Sequence, residues 1–234
     1  MRGIQVSVAT IALLVAFGAV SATSARETSC ASSIDPEDFV PYVDNPYFPL
    51  VPGTTFTYRG EDEGVPTSNV TEVRRATVRI LGVDCIEVRD RAFEDGALVE
   101  ETFDWYAQDR DGNVWYFGED TTEFPSGSKE GSWTAGVDGA LPGIIMEADP
   151  RVGDRYHQEC APGVAEDMAQ VSKLDRSVTV PYGSFDDVVQ TKEWTPLERG
   201  VVEQKLYAPN VGFVRGEMVK GGSEYTELVD VTRK

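Results

Sequence analysis

Glu101–Glu119, ETFDWYAQDRDGNVWYFGE, decides the fold, because a weaker copy of it returns near the C-terminus as Glu203–Glu217, EQKLYAPNVGFVRGE. In the first stretch the β-rich residues Thr102, Phe103, Trp105 and Tyr106 run into the polar turn Asp109-Arg110-Asp111-Gly112-Asn113, and Val114, Trp115, Tyr116 and Phe117 run back. Gly112 is free to take positive φ where the chain reverses. In the second, Leu206 and Tyr207 enter a Pro209-Asn210 turn, and Phe213 and Val214 leave it. Both read as β-hairpins, and both carry Tyr-Ala before the turn and Gly-Glu after it.

The likeness continues backwards from the hairpins. Val51 to Phe56 lines up with Val152 to Tyr156, Thr77 to Gly82 with Ser177 to Gly183, and Gly96 to Glu100 with Gly200 to Glu203. Residues 51–119 and 152–217 therefore read as two copies of one β-meander, joined through 120–151, with a last strand to 231. Strands are expected near 54–59, 70–81, 84–93, 98–107 and 113–118 in the first copy. In the second they are expected near 167–180, 187–194, 201–208, 212–219 and 225–231. Residues 161–174 also fit helical spacing, but the repeat sets them against a strand. The fold class is all-β: a single antiparallel sheet of about ten strands, curled or closed into a barrel.

Residues 1–25 read as a secretory signal peptide. Arg2 precedes an apolar run from Val6 to Val20, and the small residues Ala22-Thr23-Ser24-Ala25 offer cleavage after either alanine. The run is short for a membrane span, so a secreted or periplasmic protein with no stable membrane insertion is expected. Cys30 lacks the aliphatic residue that a lipoprotein signal normally carries three positions earlier and lies well beyond the apolar run, so removal of the leader without lipid anchoring is the favoured reading. Residues 26–50 form an arm with Pro36, Pro41, Pro46 and Pro49 among Phe39, Tyr42, Tyr47 and Phe48. Such a segment can be neither helix nor central strand, and it should lie extended, plugging a barrel end or covering an edge.

The formal net charge of −19 comes from 40 acidic and 21 basic residues, and loss of the leader removes Arg2 but no acid. That balance excludes phosphate-backbone binding, so no nucleic-acid partner is expected. Three cysteines, Cys30, Cys85 and Cys160, suit one disulfide in an exported protein. Either Cys85–Cys160 staples the two copies, or Cys30 tethers the arm.

By period-two alternation, Val99, Phe103, Trp105 and Ala107 share one face of their strand, which should be core or cavity wall. Glu101 falls on that face, an inconsistency that a polar site, an edge position or an arginine partner would explain. In the joint, the apolar run Ala140 to Met146 and Trp133 form either a cover over a cavity or a packed crossover.

No motif of catalysis stands out. His157 is the only histidine, and no G-x-S-x-G elbow, P-loop or zinc spacing is present. His157 and Glu159 could offer two metal ligands, but the others are missing. Asp109, Asp111 and Asn113 mimic the start of a calcium loop, yet Val114 stands where an EF-hand needs glycine, so a hairpin turn accounts for them. No catalytic residue, metal or cofactor is assigned.

Three motifs resemble those of a widespread family of uncharacterised exported bacterial β-proteins: Asn45-Pro-Tyr-Phe-Pro-Leu50, Tyr106-Ala-Gln-Asp with Gly112 to Asp120, and Ser132-Trp-Thr-Ala-Gly-Val-Asp-Gly-Ala-Leu-Pro-Gly143. The resemblance spans nearly the whole mature chain and implies no activity. The strand pattern is also loosely similar to the half-barrels of lipoprotein carriers and to lipocalins, which hold apolar ligands. The expected function is a non-catalytic exported protein binding a small apolar or amphipathic ligand between its halves, through Phe103, Trp105, Trp115, Trp133 and Phe213, with Glu101 and His157 as a possible polar site. An envelope enzyme using acidic residues or His157, and a structural or protein-binding module, are the alternatives.

Overall fold

The structure, a computed structural model, describes residues 25–31 and 33–234. All of the expected signal peptide except Ala25 lies outside them. The long strands are β1 (Thr54–Asp62), β2 (Val65–Ile80), β3 (Val83–Glu94), β4 (Ala97–Asp109), β5 (Val114–Glu123), β6 (Leu141–Met146), β7 (Met168–Val180), β8 (Gly183–Trp194), β9 (Val202–Ala208), β10 (Gly212–Lys220) and β11 (Glu224–Arg233). They lie in one antiparallel sheet in the order β7-β8-β9-β10-β11-β1-β2-β3-β4-β5-β6. Each meander is thus continuous, and the last strand of the chain docks on the first long one.

Local chemistry sets the hairpins. The pairs Glu63-Gly64 (φ 47° and 90°), Leu81-Gly82 (48° and 86°) and Asp95-Gly96 (46° and 81°) each place two successive residues at positive φ. Two-residue turns of that kind match the twist of the strands they connect. The Asp109–Asn113 turn is closed by its own side chains. Asn113 donates from its backbone N to Asp109 Oδ1 (2.9 Å) and from Nδ2 to Oδ2 (2.9 Å), and Trp115 Nε1 donates to Oδ2 (2.8 Å). With its oxygens so engaged, Asp109 serves the hairpin.

The two meanders begin alike. Gly53 N donates to Val73 O and Gly153 N to Val171 O, each at 2.8 Å, with φ of 88° and 99°.

Closure depends on a segment that the strand pattern did not reveal. Arg155–His157 pairs antiparallel with β7, and Glu159–Cys160, two residues on, pairs antiparallel with β6. One short run of chain therefore bonds to both outermost long strands and all but closes the sheet into a barrel. Gly143 permits the approach, since a Cβ there would stand 2.4 Å from Gln158 O. At the opposite junction β11 pairs with β1 from Glu224↔Asp62 to Arg233↔Thr54, and a Cβ on Gly60 would stand 1.9 Å from Tyr225 O. Each of these joints between the halves thus depends on a glycine for bare backbone contact rather than for positive φ.

The arm enters the barrel on Asn45, which is 2% exposed. Its Nδ2 donates to Gly112 O (2.9 Å) and Glu147 O (3.1 Å), its Oδ1 accepts from Tyr47 N (2.9 Å), and its backbone N donates to Gln108 Oε1 (2.8 Å). A buried amide so satisfied fixes the chain direction. Phe48 is thereby set against Tyr106 and Tyr207, at ring-centroid distances of 5.2 and 6.5 Å. Val43 and Leu50 are buried in the largest core cluster with Phe56, Tyr58, Val73 and Leu228.

One alternative is resolved and one expectation is corrected. Residues 141–146 of the joint are a strand, β6, paired with β5 and largely buried, so this run is a packed crossover rather than a cover. Period-two alternation also fails along β4. The register shift between Ala92/Phe93 marks a β-bulge on β4 at which the inward face changes, so that Val99 lines the cavity on one side of it and Asp104 and Tyr106 on the other.

A cavity between the two meanders

A cavity of about 450 Å³ lies inside the barrel, walled by β1, β2, β3 and β4 on one side and by β9, β10 and β11 on the other. Phe48, Pro49 and Leu50 of the arm form part of its wall. Phe56, Tyr58, Val88, Tyr106, Tyr207 and Phe213 make the wall mostly apolar and aromatic. Polar residues gather where the strands approach their turns, with Asp62, Thr67, Glu94 and Glu224 at strand ends. In the β1–β11 pairing Glu224 lies directly opposite Asp62. Burial, then the Glu203 and Asp62 carboxylates, push the Glu224 carboxyl upward.

Deeper in the wall are Asp90 and Asp104. Asp90 Oδ1 accepts from Asn69 Nδ2 (2.5 Å) and its Oδ2 from Thr71 Oγ1 (2.8 Å), which only partly offsets the burial that raises it. Asp104 is raised well above the carboxylate range, first by burial and then by Asp90, Glu119 and Glu100, although the Tyr116 hydroxyl holds it back. Lys205 is the one cation among the described residues that line the cavity. Its Nζ lies 2.8 Å from Glu193 Oε2 and 3.4 Å from Glu203 Oε2. Burial works against its charge, but Glu193 and Glu203 outweigh that, leaving its pKa well above the ordinary lysine value. A third of the Lys205 side chain is accessible, and the residue lines the cavity. Glu193 is only 5% exposed and is completed by Thr191 Oγ1 (2.6 Å) and the Tyr207 hydroxyl (3.1 Å).

Of the aromatic residues singled out from the sequence, Phe213 lines the cavity. Phe103 and Trp105 belong to a row on the sheet away from it. The Arg74 and Arg89 guanidinium groups stand 5.6 and 5.9 Å from the centre of the Phe103 ring, and Trp105 Nε1 donates to Glu87 Oε2 at 3.4 Å. Glu101 belongs to the same row, with Arg89 Nε 2.7 Å from its Oε1, so the arginine partner explains it. Trp115 is tied to Asp109, while Trp133 is buried edge-on against Tyr116 with 5.4 Å between ring centres. The structure therefore does not bring these five aromatics together. Asp104, Tyr106, Lys205 and Tyr207 are among the wall residues that the sequence reading missed. Glu101 was the available clue, because a carboxylate beside Phe103 and Trp105 fits an outer face.

His157 lies on the closing segment, beside the disulfide that joins Cys30 to Cys160. Its ring nitrogen and the two sulfurs lie within 4.8 Å of one another. Bonded to each other, the sulfurs offer no thiolate to a metal. Glu159, the other suggested ligand, is pushed up to about 8 by burial and by the Asp167 and Glu119 carboxylates.

No protein-family model matches the chain, and no curated protein matches it. Two crystal structures are similar. One, of a candidate exported protein with a YmcC-like fold from Bacteroides fragilis, shares 17% identity with a TM-score of 0.48, over 80% of this chain and 99% of that one. The other, of a candidate lipoprotein from Parabacteroides distasonis, shares 14% identity with a TM-score of 0.39, over 80% and 98%. Likeness at these scores carries no argument about function.

Proposed function

We propose that this chain is an exported, non-catalytic β-barrel that binds a small apolar or amphipathic ligand in the cavity between its two meanders. The cavity carries the reading: its 450 Å³ falls within the range of about 300–1,000 Å³ typical of small-molecule sites, and its wall is mostly apolar with a few placed polar groups. The Cys30–Cys160 disulfide supports an oxidising compartment, in keeping with the leader pattern of residues 1–25. While Cys30 is bonded to Cys160 it has no thiol for a lipid thioether, which favours an unanchored protein.

Charge narrows the ligand. Asp62, Asp90, Glu94, Asp104 and Glu224 face the cavity, whereas its lysine is already held by Glu193 and Glu203. An anionic head group would meet carboxyls with no spare cation, so a neutral or cationic head suits the wall. Calorimetric titration with dodecylamine, dodecanol and dodecanoate tests this. Uptake of the amine and the alcohol ahead of the carboxylate is expected, and no binding by any of the three would refute the ligand-binding reading.

A further inference from the structure

Asp154 is fully buried, and both of its oxygens face Arg26. The backbone N of Arg26 donates to Oδ1 at 2.6 Å, while Nη2 (3.0 Å) and Nε (3.3 Å) donate to Oδ2. The placement is held from several sides. Arg26 O accepts from Arg155 N at 2.8 Å, Glu27 and Thr28 pair in parallel with Arg155 and Tyr156, and Cys30 is bonded to Cys160.

Next to Asp154 lies Glu147, 3% exposed, whose Oε2 has no hydrogen-bond partner. Burial and then the Asp154 carboxylate drive Glu147 up to about 7, against the pull of Arg26. Arg151 and Asp149 complete the charged surroundings, but these two pair with each other at 2.6 Å on the surface, and Arg26 Nη2 donates to Asp149 O. Two buried carboxyls thus stand beside one guanidinium, which is bonded to Asp154 alone, and the group nearest Asp154 is a backbone nitrogen that carries no charge as an amide.

We propose that the Ala25–Arg26 peptide bond is the processing site, and that the α-ammonium its hydrolysis creates on Arg26 is a second cation for this buried pair, beside the guanidinium. A peptidase adds water across the bond. The hydroxyl goes to the Ala25 carbonyl carbon, the C–N bond breaks, and a proton goes to the Arg26 nitrogen. The resulting amine, with an ordinary pKa of about 7.7–8.0, takes a second proton from solvent at neutral pH. The nitrogen already sits at hydrogen-bond distance from Asp154, so cleavage changes its charge without requiring it to move. Charge-assisted hydrogen bonds are roughly twice as strong as neutral ones, and the added positive charge acts on Glu147 beside Asp154 as the guanidinium already does. Cleavage after Ala22 would leave an amide at this spot and place the ammonium three residues upstream.

The sign of the pH effect follows. An ammonium held by buried carboxyls has its pKa raised in the folded state, so its stabilisation is complete below the unfolded value of about 7.7–8.0 and is lost as pH rises through the folded value.

Two measurements test the proposal. The full chain is exported from its own leader and its intact mass recorded: a mature chain beginning at Arg26 is expected, and any other start overturns the assignment. Thermal melting then compares the chain beginning at Arg26 with the same chain acetylated at that nitrogen, which removes the charge. At about pH 6.5 the free amine should melt roughly 4 °C higher, and the gap should close in alkali. In Asp154→Asn, and in the milder Glu147→Gln should the first not fold, the gap should shrink. Equal melting of the two forms, or an unchanged gap in the variant, overturns the structural role.

Discussion

Tyr116 places its hydroxyl 2.6 Å from Asp104 Oδ1 and 2.9 Å from Glu119 Oε2, joining two carboxyl groups through one phenol. A hydroxyl has a single proton to donate, so for both contacts to be hydrogen bonds one carboxyl must itself be protonated. Burial accounts for the proton: it raises Asp104 well above the usual carboxylate range and pushes Glu119 up to about 7. This shared proton lies beside the cavity, since Asp104 is part of its wall.

Stability should therefore fall as pH rises from about 4.5 towards 8. Glu119 reaches about 7 and Glu159 about 8 in the folded chain, against ordinary values near 4.5, so across that window the folded state binds more protons than the unfolded one. Each unit of upward displacement corresponds to about 1.4 kcal/mol. The urea midpoint should be higher at the acid end, and Glu119→Gln should flatten its decline. A midpoint that rises over the same range would contradict the assignment.

Cys30 and Cys160 close a loop with a sequence separation of 130 at the segment that closes the barrel. Of the two arrangements left open by the sequence, the arm tether is the one formed. Chain entropy alone assigns such a loop about 4–5 kcal/mol. Cys160→Ala should accordingly cost several kcal/mol in chemical denaturation. Cys85 is fully buried, and burial pushes its thiol up to about 12, so a thiol reagent should detect it only after unfolding.

Replacing Gly143 by alanine tests the closure itself. The added Cβ meets the backbone of His157 and Gln158, which no rotamer change can relieve. A loss of about 2 kcal/mol is expected, with faster amide exchange in β6 and residues 155–160 as the readout.

Lys205→Met should cost about 3 kcal/mol, because it leaves Glu193 buried without its cation. Pairing it with Glu193→Gln should recover much of the loss, and absence of recovery would show that the ion pair is not the cause.

Within the ligand-binding reading, Phe213→Ala should weaken uptake of dodecanol about tenfold, whereas Trp105→Ala should leave it unchanged. Titration by calorimetry separates the two. Equal loss in both variants would place the ligand elsewhere.

Most of the sheet was legible along the chain. The alternation of β-rich runs with Asp-Gly and Leu-Gly turns is local, and β4, β5, β9 and β10 formed where the two hairpin motifs predicted them. β7 begins at Met168, as the repeat indicated against helical spacing. The course of the arm was readable in outline, because prolines among aromatics favour an extended chain, but Pro36–Asp38 forms a short 3-10 helix and Tyr42 is exposed rather than buried. The cavity wall was not. Which face of β4 points inward depends on bulges, and a single extra residue reverses the alternation without leaving a signal in composition.

The sequence by itself determined the all-β class, the two meanders and the turn positions, because backbone propensity and side-chain alternation act between near neighbours. Only the tertiary structure decided how the ends of the sheet meet, which cysteines join, and which carboxyls lie around the cavity. Those outcomes depend on contacts between residues more than a hundred positions apart, such as Gly60 with Tyr225, Cys30 with Cys160 and Arg26 with Asp154. They form only once loop closure has brought the two halves together and burial has removed water from the groups between them.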